Sequence, residues 1–235
     1  NAIAYCQAKP VFLDVDRTTL GLSTAKVKAF FEEHTEKKSD GVYNTITNKR
    51  IAAVMPMHTF GHPCDIDNLV KLCKEYGVPV VEDAAESLGS FYKEKHTGTF
   101  GLISAFSFNG NKTITSGGGG VIVTNNQELA KKAKHLTTTA KIPHAWEYEH
   151  DSIAYNYRMP NLNAALACAQ LEQLDSFINK KRKLAKDYKE FFGQLQIDFI
   201  DESKDSKANF WLNSIVLENK IQREEFLEKL NKGGI

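Results

Sequence analysis

Residues 78–123 read VPVVEDAAESLGSFYKEKHTGTFGLISAFSFNGNKTITSGGGGVIV. Two apolar runs stand in this stretch, Val78 to Val81 and Ile103 to Phe108. Neither alternates in residue type as a half-solvated strand does, so both read as buried strands of a parallel sheet. The first ends in the acidic pair Glu82-Asp83, and the second runs through Ser107 to a lone lysine, Lys112, between Asn111 and Thr113. Ligands of open α/β sheets lie beyond the carboxyl ends of the strands. These two ends therefore bring a carboxylate, a hydroxyl and an amine toward one crevice.

Such a trio has a chemical use. A lysine beside a pocket for an aldehyde cofactor can form a Schiff base, and a carboxylate can keep a pyridine nitrogen protonated so that the ring accepts electrons. That is the chemistry of pyridoxal phosphate. The glycine run Gly117 to Gly120 would let backbones approach closely and adopt positive φ. Each signal also has a plainer use: a lysine is commonly a solvated charge, an Asp after a strand an N-cap, a glycine run a turn. Order and spacing together favour the cofactor reading.

EDAAESLG, TFGLISAFSFNGNK and ITSGGGGVIVTN resemble the signature of the sugar-nucleotide aminotransferases of the DegT/StrS type, within the fold-type I pyridoxal phosphate enzymes. The similarity continues through PVFLDVD, MHTFGHPCDID and YNYRMPNLNAALACAQLE, so it covers nearly the whole chain. The resemblance implies a mostly parallel central sheet flanked by helices, followed by the start of a small C-terminal α/β domain. It also implies that Lys112 is the Schiff-base lysine, Asp83 the partner of the pyridine nitrogen, and Ser107 a phosphate ligand. Glu86 falls near the cofactor's phenolic oxygen, where the family usually carries Gln or His. Asn156 would reach the cofactor phosphate of a partner subunit, with Arg158 in support, which makes a homodimer with shared sites the expectation. An obligate interface of that kind buries more than about 2,000 Å².

Composition narrows the function classes. Of 235 residues, 42% are apolar and 25% charged, ordinary for a globular protein, and a formal charge of +1 gives no reason to expect a nucleic acid or an anionic membrane as partner. Cys6, Cys64, Cys73 and Cys168 are scattered without paired spacing, which argues against a zinc site and a disulfide framework and fits a reducing cytoplasm. No apolar stretch reaches the roughly 18 residues a membrane span needs. His58 and His62 stand four apart, but Gly61 and Pro63 argue for a loop rather than a helical metal pair. No metal is expected.

Along the chain, Val11 to Val15 reads as a strand, Ser23 to Lys37 as an amphipathic helix capped by Ser23, and 41–50 as a turn. Ile51 to Met55 reads as a buried run. A helix over 65–76 feeds the strand at Val78, completing a βαβ unit. A charged helix follows over 125–136. The loop Thr137 to Asp151 holds His144, Trp146, Tyr148 and His150, and long loops of this kind are commonly functional. Residues 162–192 read as one long helix, 209–217 as a strand and 222–230 as a helix. The expected division is a large cofactor domain over 1–160, lacking its N-terminal part, and a linking helix with a partial small domain over 161–235. Both ends look cut, as in an internal fragment.

The expected activity is transfer of an amino group, from glutamate as in most of the family, to a ketosugar nucleotide. The branch most resembled aminates C4 of a UDP-linked 4-keto-6-deoxy-N-acetylhexosamine on the way to legionaminic acid or bacillosamine. Gly118, where many relatives carry Glu, would spare a diphosphate a like charge, and His144 and Trp146 would either contact the sugar or its base or only pack the loop. The alternatives are a dTDP- or GDP-linked ketosugar, a dehydratase, against which Lys112 speaks, and a non-catalytic sugar-nucleotide binder.

Overall fold

The computed structural model describes residues 1–235. Helix α1 (Thr24–His34) begins where Ser23 Oγ accepts a hydrogen bond from Lys26 N at 3.4 Å, satisfying an amide with no partner inside the helix. It ends before Lys37. Thr35 is extended, its hydroxyl donating to Phe31 O at 2.6 Å, and β1 (Thr35–Lys38) folds back on β2 (Gly41–Asn44) as an antiparallel hairpin. The segment 41–50, read as a turn, is thus partly strand. Helix α2 (Ile66–Glu75) turns Ile66, Leu69, Leu72 and Cys73 inward, where they pack with Val27 and Phe31 of α1 and with Val78 and Val80. This is the main core, and it fixes the height at which the next strand emerges.

Strands β3 (Val81–Asp83) and β4 (Ile103–Ser107) pair in parallel, Val81 opposite Ile103 and Asp83 opposite Ala105. Strand β5 (Gly120–Val123) runs antiparallel to β4, with Ser107 opposite Gly120. Beyond β3, Val54 and Met57 form parallel bridges to Val80 and Asp83. The sheet is therefore mixed, parallel between β3 and β4 and antiparallel between β4 and β5. Burial along β4 is one-sided: Ser104, Phe106 and Phe108 are buried and Ala105 is exposed, while Val121 and Ile122 on β5 stay 42% and 45% exposed. A run that does not alternate in residue type thus alternates in burial. Ile51 to Met55, read as buried, also leaves Met55 46% exposed.

Three further expectations need correction. Val11 to Val15 forms no strand, because only Val15 finds a bridge, to Leu22, and the Asp16 side chain then accepts from the Thr18 and Thr19 amides and turns the chain. After α3 (Gln127–Thr137), the predicted single helix is two, α4 (Asn161–Leu171) and α5 (Leu174–Gln194), broken at Gln173, whose ψ is 2°. The apolar spacing passes straight through that break, so the pattern conceals it. Residues 209–217 are strand only at β7 (Ile215–Val216), which pairs with β6 (Asp198–Phe199). Helix α6 (Lys220–Lys232) follows, capped by Asn219. No helix is long and apolar enough to cross a membrane.

Candidate active site

The turn after β4 carries the lysine. Lys112 N donates to Asn109 O at 3.1 Å, and Ser116 N returns to Phe108 O at 3.0 Å, closing a compact loop at the strand's carboxyl end. Lys112 Nζ lies 3.3 Å from Glu86 Oε1, with both side chains 14% exposed, and 3.9 Å from the centre of the Trp211 ring. The other oxygen of Glu86 accepts from Phe60 N at 2.8 Å. Phe60 adopts a left-handed φ of 57° to deliver that amide. The amine is thus held between a carboxylate and an aromatic face in a mostly dry setting, where both attractions are less screened than at the surface.

Asp83 ends β3. Its carbonyl accepts from His58 N at 3.1 Å and its Oδ1 from Ala85 N at 3.1 Å, while Oδ2 bonds no protein group. Ser107 Oγ accepts from Asn109 N at 3.2 Å, which leaves the hydroxyl proton available to a ligand. The register sets Asp83 opposite Ala105, two positions before Ser107. An amine, a carboxylate with an uncommitted oxygen and a hydroxyl donor therefore share the carboxyl ends of two adjacent parallel strands. This donor set fits pyridoxal phosphate, which needs an amine for its aldehyde, an anion for its ring nitrogen and donors for its phosphate.

Beneath the site lies a dry anion. Glu82 and His58 are fully buried and His58 Nε2 lies 3.0 Å from Glu82 Oε2. Since His58 Nδ1 accepts from Cys64 N at 3.2 Å, the proton sits on Nε2 and is donated to the carboxylate. Gly98 N (2.7 Å) completes Oε2, and Phe100 N (2.7 Å) and Gly101 N (2.5 Å) complete Oε1. Burial pushes the Glu82 carboxyl up, but the His58 and amide hydrogen bonds outweigh it and hold it below the usual range. His58 is accounted for by this bond, and His62 is buried beside Phe210 with neither ring nitrogen bonded.

The sequence reading missed three contributors. Besides Phe60, these are Trp211, whose indole N–H donates to Asn111 O at 2.7 Å, and Asn209. The fully buried Asn209 amide donates to Glu86 O (2.8 Å), Leu88 O (2.9 Å) and Thr113 Oγ1 (3.2 Å). No local pattern marks these residues, because each acts across a large sequence separation. Asn156 and Arg158 are exposed and bond neither Lys112 nor Glu86. Asn156 bridges to Thr138, and Trp146, 76% exposed, meets only the ring of His144 at 5.2 Å.

The description of the DegT/DnrJ/EryC1/StrS aminotransferase family matches residues 1–235. The chain belongs to this family. It is 43% identical over 98% of its length to GDP-perosamine synthase of Escherichia coli O157:H7, covering 58% of that protein. It is 38% identical over 94% of its length to GDP-perosamine synthase of Vibrio cholerae, covering 56% of it. EpsN of Bacillus subtilis, named as a candidate pyridoxal phosphate-dependent aminotransferase, is 38% identical over the full chain. Among solved structures, Helicobacter pylori PseC, an aminotransferase of pseudoaminic acid biosynthesis, superposes with a TM-score of 0.86 at 25% identity, over 99% of this chain and 59% of its own. The chain spans a little over half the length of these relatives. Family members are pyridoxal phosphate-dependent sugar aminotransferases.

Proposed function

We propose that the protein works as a pyridoxal phosphate-dependent aminotransferase on a nucleotide-linked 4-ketosugar, with Lys112 as the residue that carries the cofactor. The observation that supports this most is the burial of the Lys112 amine between Glu86 and Trp211, at the ends of the strands that carry Asp83 and Ser107. When bound, the cofactor supplies an electron sink that stabilises negative charge at the donor's α-carbon. The chain's own residues do the rest. Asp83 would hold the proton of a ring nitrogen, Ser107 would donate to a phosphate, Glu86 would orient the amine, and Lys112 would shuttle the proton between the donor's α-carbon and the cofactor. Glutamate is the donor we expect.

Asn156 is exposed and its side chain bonds nothing in its own chain, which favours a role in a second copy's site and hence a homodimer. Four free cysteines favour work in the cytoplasm. Two substrate branches remain. The names of the closer relatives favour a GDP-linked 4-keto-6-deoxyhexose. A UDP-linked 4-keto-6-deoxy-N-acetylhexosamine rests on the aromatics of 137–151, whose contact residue Trp146 faces solvent. We rank the GDP-linked sugar first.

Borohydride reduction of the protein with pyridoxal phosphate, followed by peptide mapping, tests the site: the label belongs on Lys112, and a label on another lysine refutes the assignment. Assays with GDP-, UDP- and dTDP-linked 4-ketosugars test the branch, and a preference for either of the latter two overturns the ranking.

A further inference from the structure

Segment 209–212 holds the lysine turn from both sides. Asn111, before Lys112, gives its carbonyl to the Trp211 indole N–H at 2.7 Å, and Thr113, after it, gives its hydroxyl oxygen to the Asn209 amide at 3.2 Å. The same Asn209 amide group binds the carbonyls of Glu86 and Leu88, so one side chain sets the spacing between the Glu86 turn and the Lys112 turn. Asn209 is itself locked, its Oδ1 accepting from Trp211 N at 2.8 Å and its own N donating to Ser90 Oγ at 3.0 Å. Trp211 also lays its ring 3.9 Å from Lys112 Nζ, and its carbonyl accepts from Lys181 Nζ of α5 at 3.1 Å. The Gly61 backbone closes the other side so tightly that a Cβ there would stand 1.8 Å from Asn209 Oδ1.

We propose that Trp211, seated by Asn209, is a positioning residue for Lys112: its N–H fixes the turn and its ring face aims the amine into the crevice beside Glu86. This rests on Lys112 being the cofactor lysine. In loading, the neutral amine adds to the aldehyde carbon, a C=N bond forms, and the aldehyde oxygen leaves as water with the amine's two protons. That reaction depends on where the amine points, whereas non-covalent seating of the cofactor does not. Misplacing a reacting group by about 1 Å can cost up to about a hundredfold, so a freed turn should slow loading by about tenfold.

The test separates the two events. Pyridoxal phosphate loads covalently, and the rate of borohydride-trappable labelling of Lys112 reports it. Pyridoxamine phosphate, which has no aldehyde, reports seating alone by calorimetry. In Trp211→Leu, loading is expected to slow by about tenfold or more, with pyridoxamine phosphate affinity within about threefold of the parent. Trp211→Phe keeps a ring over the amine and loses the N–H bond, so it should load at an intermediate rate, and it decides the matter if the leucine variant does not fold. Parental loading rates, or an equal loss of loading and of pyridoxamine phosphate binding, would overturn the positioning role. A parent protein that is not labelled at Lys112 would instead overturn the cofactor assignment on which it rests.

Discussion

Replacing Glu82 with Gln changes almost no volume and removes one buried charge, so its effect can be worked from the hydrogen bonds. Four donors point at the carboxylate: His58 Nε2 and Gly98 N at Oε2, Phe100 N and Gly101 N at Oε1. An amide has only one oxygen, so whichever way it turns, two N–H groups face an NH₂ that cannot accept. If the NH₂ faces His58, the ring could flip its proton to Nδ1, but that would confront Cys64 N, which now donates there. Leaving a buried donor unpaired costs about 1–3 kcal/mol, which gives about 2–6 kcal/mol for two. A typical domain has only about 5–15 kcal/mol of stability, so the variant should be marginal, its Tm lower by roughly 2–4 °C for each kcal/mol.

The pH dependence carries the same reasoning further. Because Glu82 is held below its ordinary range when folded, its contribution is present above the unfolded value of about 4.3 and is lost as pH falls through the folded value. Gln has no such titration. Thermal melts of parent and Glu82→Gln should therefore lie far apart at pH 7 and converge below about pH 4. A Tm within about 2 °C of the parent at pH 7, or a gap that stays constant into acid, would refute the claim that four donors stabilise a buried anion.

Asp83→Asn in the full-length enzyme should retain cofactor and lower kcat by about a hundredfold, since an amide does not favour a protonated ring nitrogen by the roughly 3 kcal/mol an ion pair in a dry site can supply; near-parental kcat would exclude the role. Gly61→Ala must relieve a contact of 1.8 Å with Asn209 at a φ of +92°, and backbone strain with displaced Asn209 bonds should cost several kcal/mol, read as a drop in Tm together with slower labelling of Lys112. Burial pushes His62 down, more than Glu202 and Asp201 push it up, so the unfolded chain takes a proton there first and stability should fall as pH drops below about 6.5. His62→Leu should flatten that part of the Tm–pH curve, with His96, also pushed down by burial, supplying the slope that remains. Parallel curves would show that His62 does not contribute.

The placement of Asp83 and Ser107 at the ends of neighbouring strands was legible because apolar runs mark those strands locally, whereas the contact of Lys112 with Glu86 was not read from the sequence. The acidic pair at the end of β3 was only half legible. Successive residues of a strand face opposite ways, so one of Glu82 and Asp83 had to turn inward, but no local signal says which. Burial answers it, with Glu82 fully enclosed and Asp83 partly open. Trp211 stood outside any reading of the sequence, since its bond to Asn111 spans 100 residues and its segment looked like a strand. The positive φ of Phe60 was equally invisible, because nothing in an aromatic residue announces a left-handed backbone.

Glu82 and Glu86, four residues apart, show how one turn divides structural from chemical work. The first is fully enclosed, meets four donors and none of its partners is a mobile side chain tip, so its charge can only hold loops together. The second, 14% exposed, binds one backbone amide and the tip of the flexible Lys112 side chain. Asn209 binds the Glu86 carbonyl but not its carboxylate, which fixes the backbone while leaving the charged end free to respond. A rigid frame around a responsive charge is what pre-organised catalysis requires. Here Glu82, His58, Asn209 and Trp211 supply the frame within which the Glu86 carboxylate meets the Lys112 side chain.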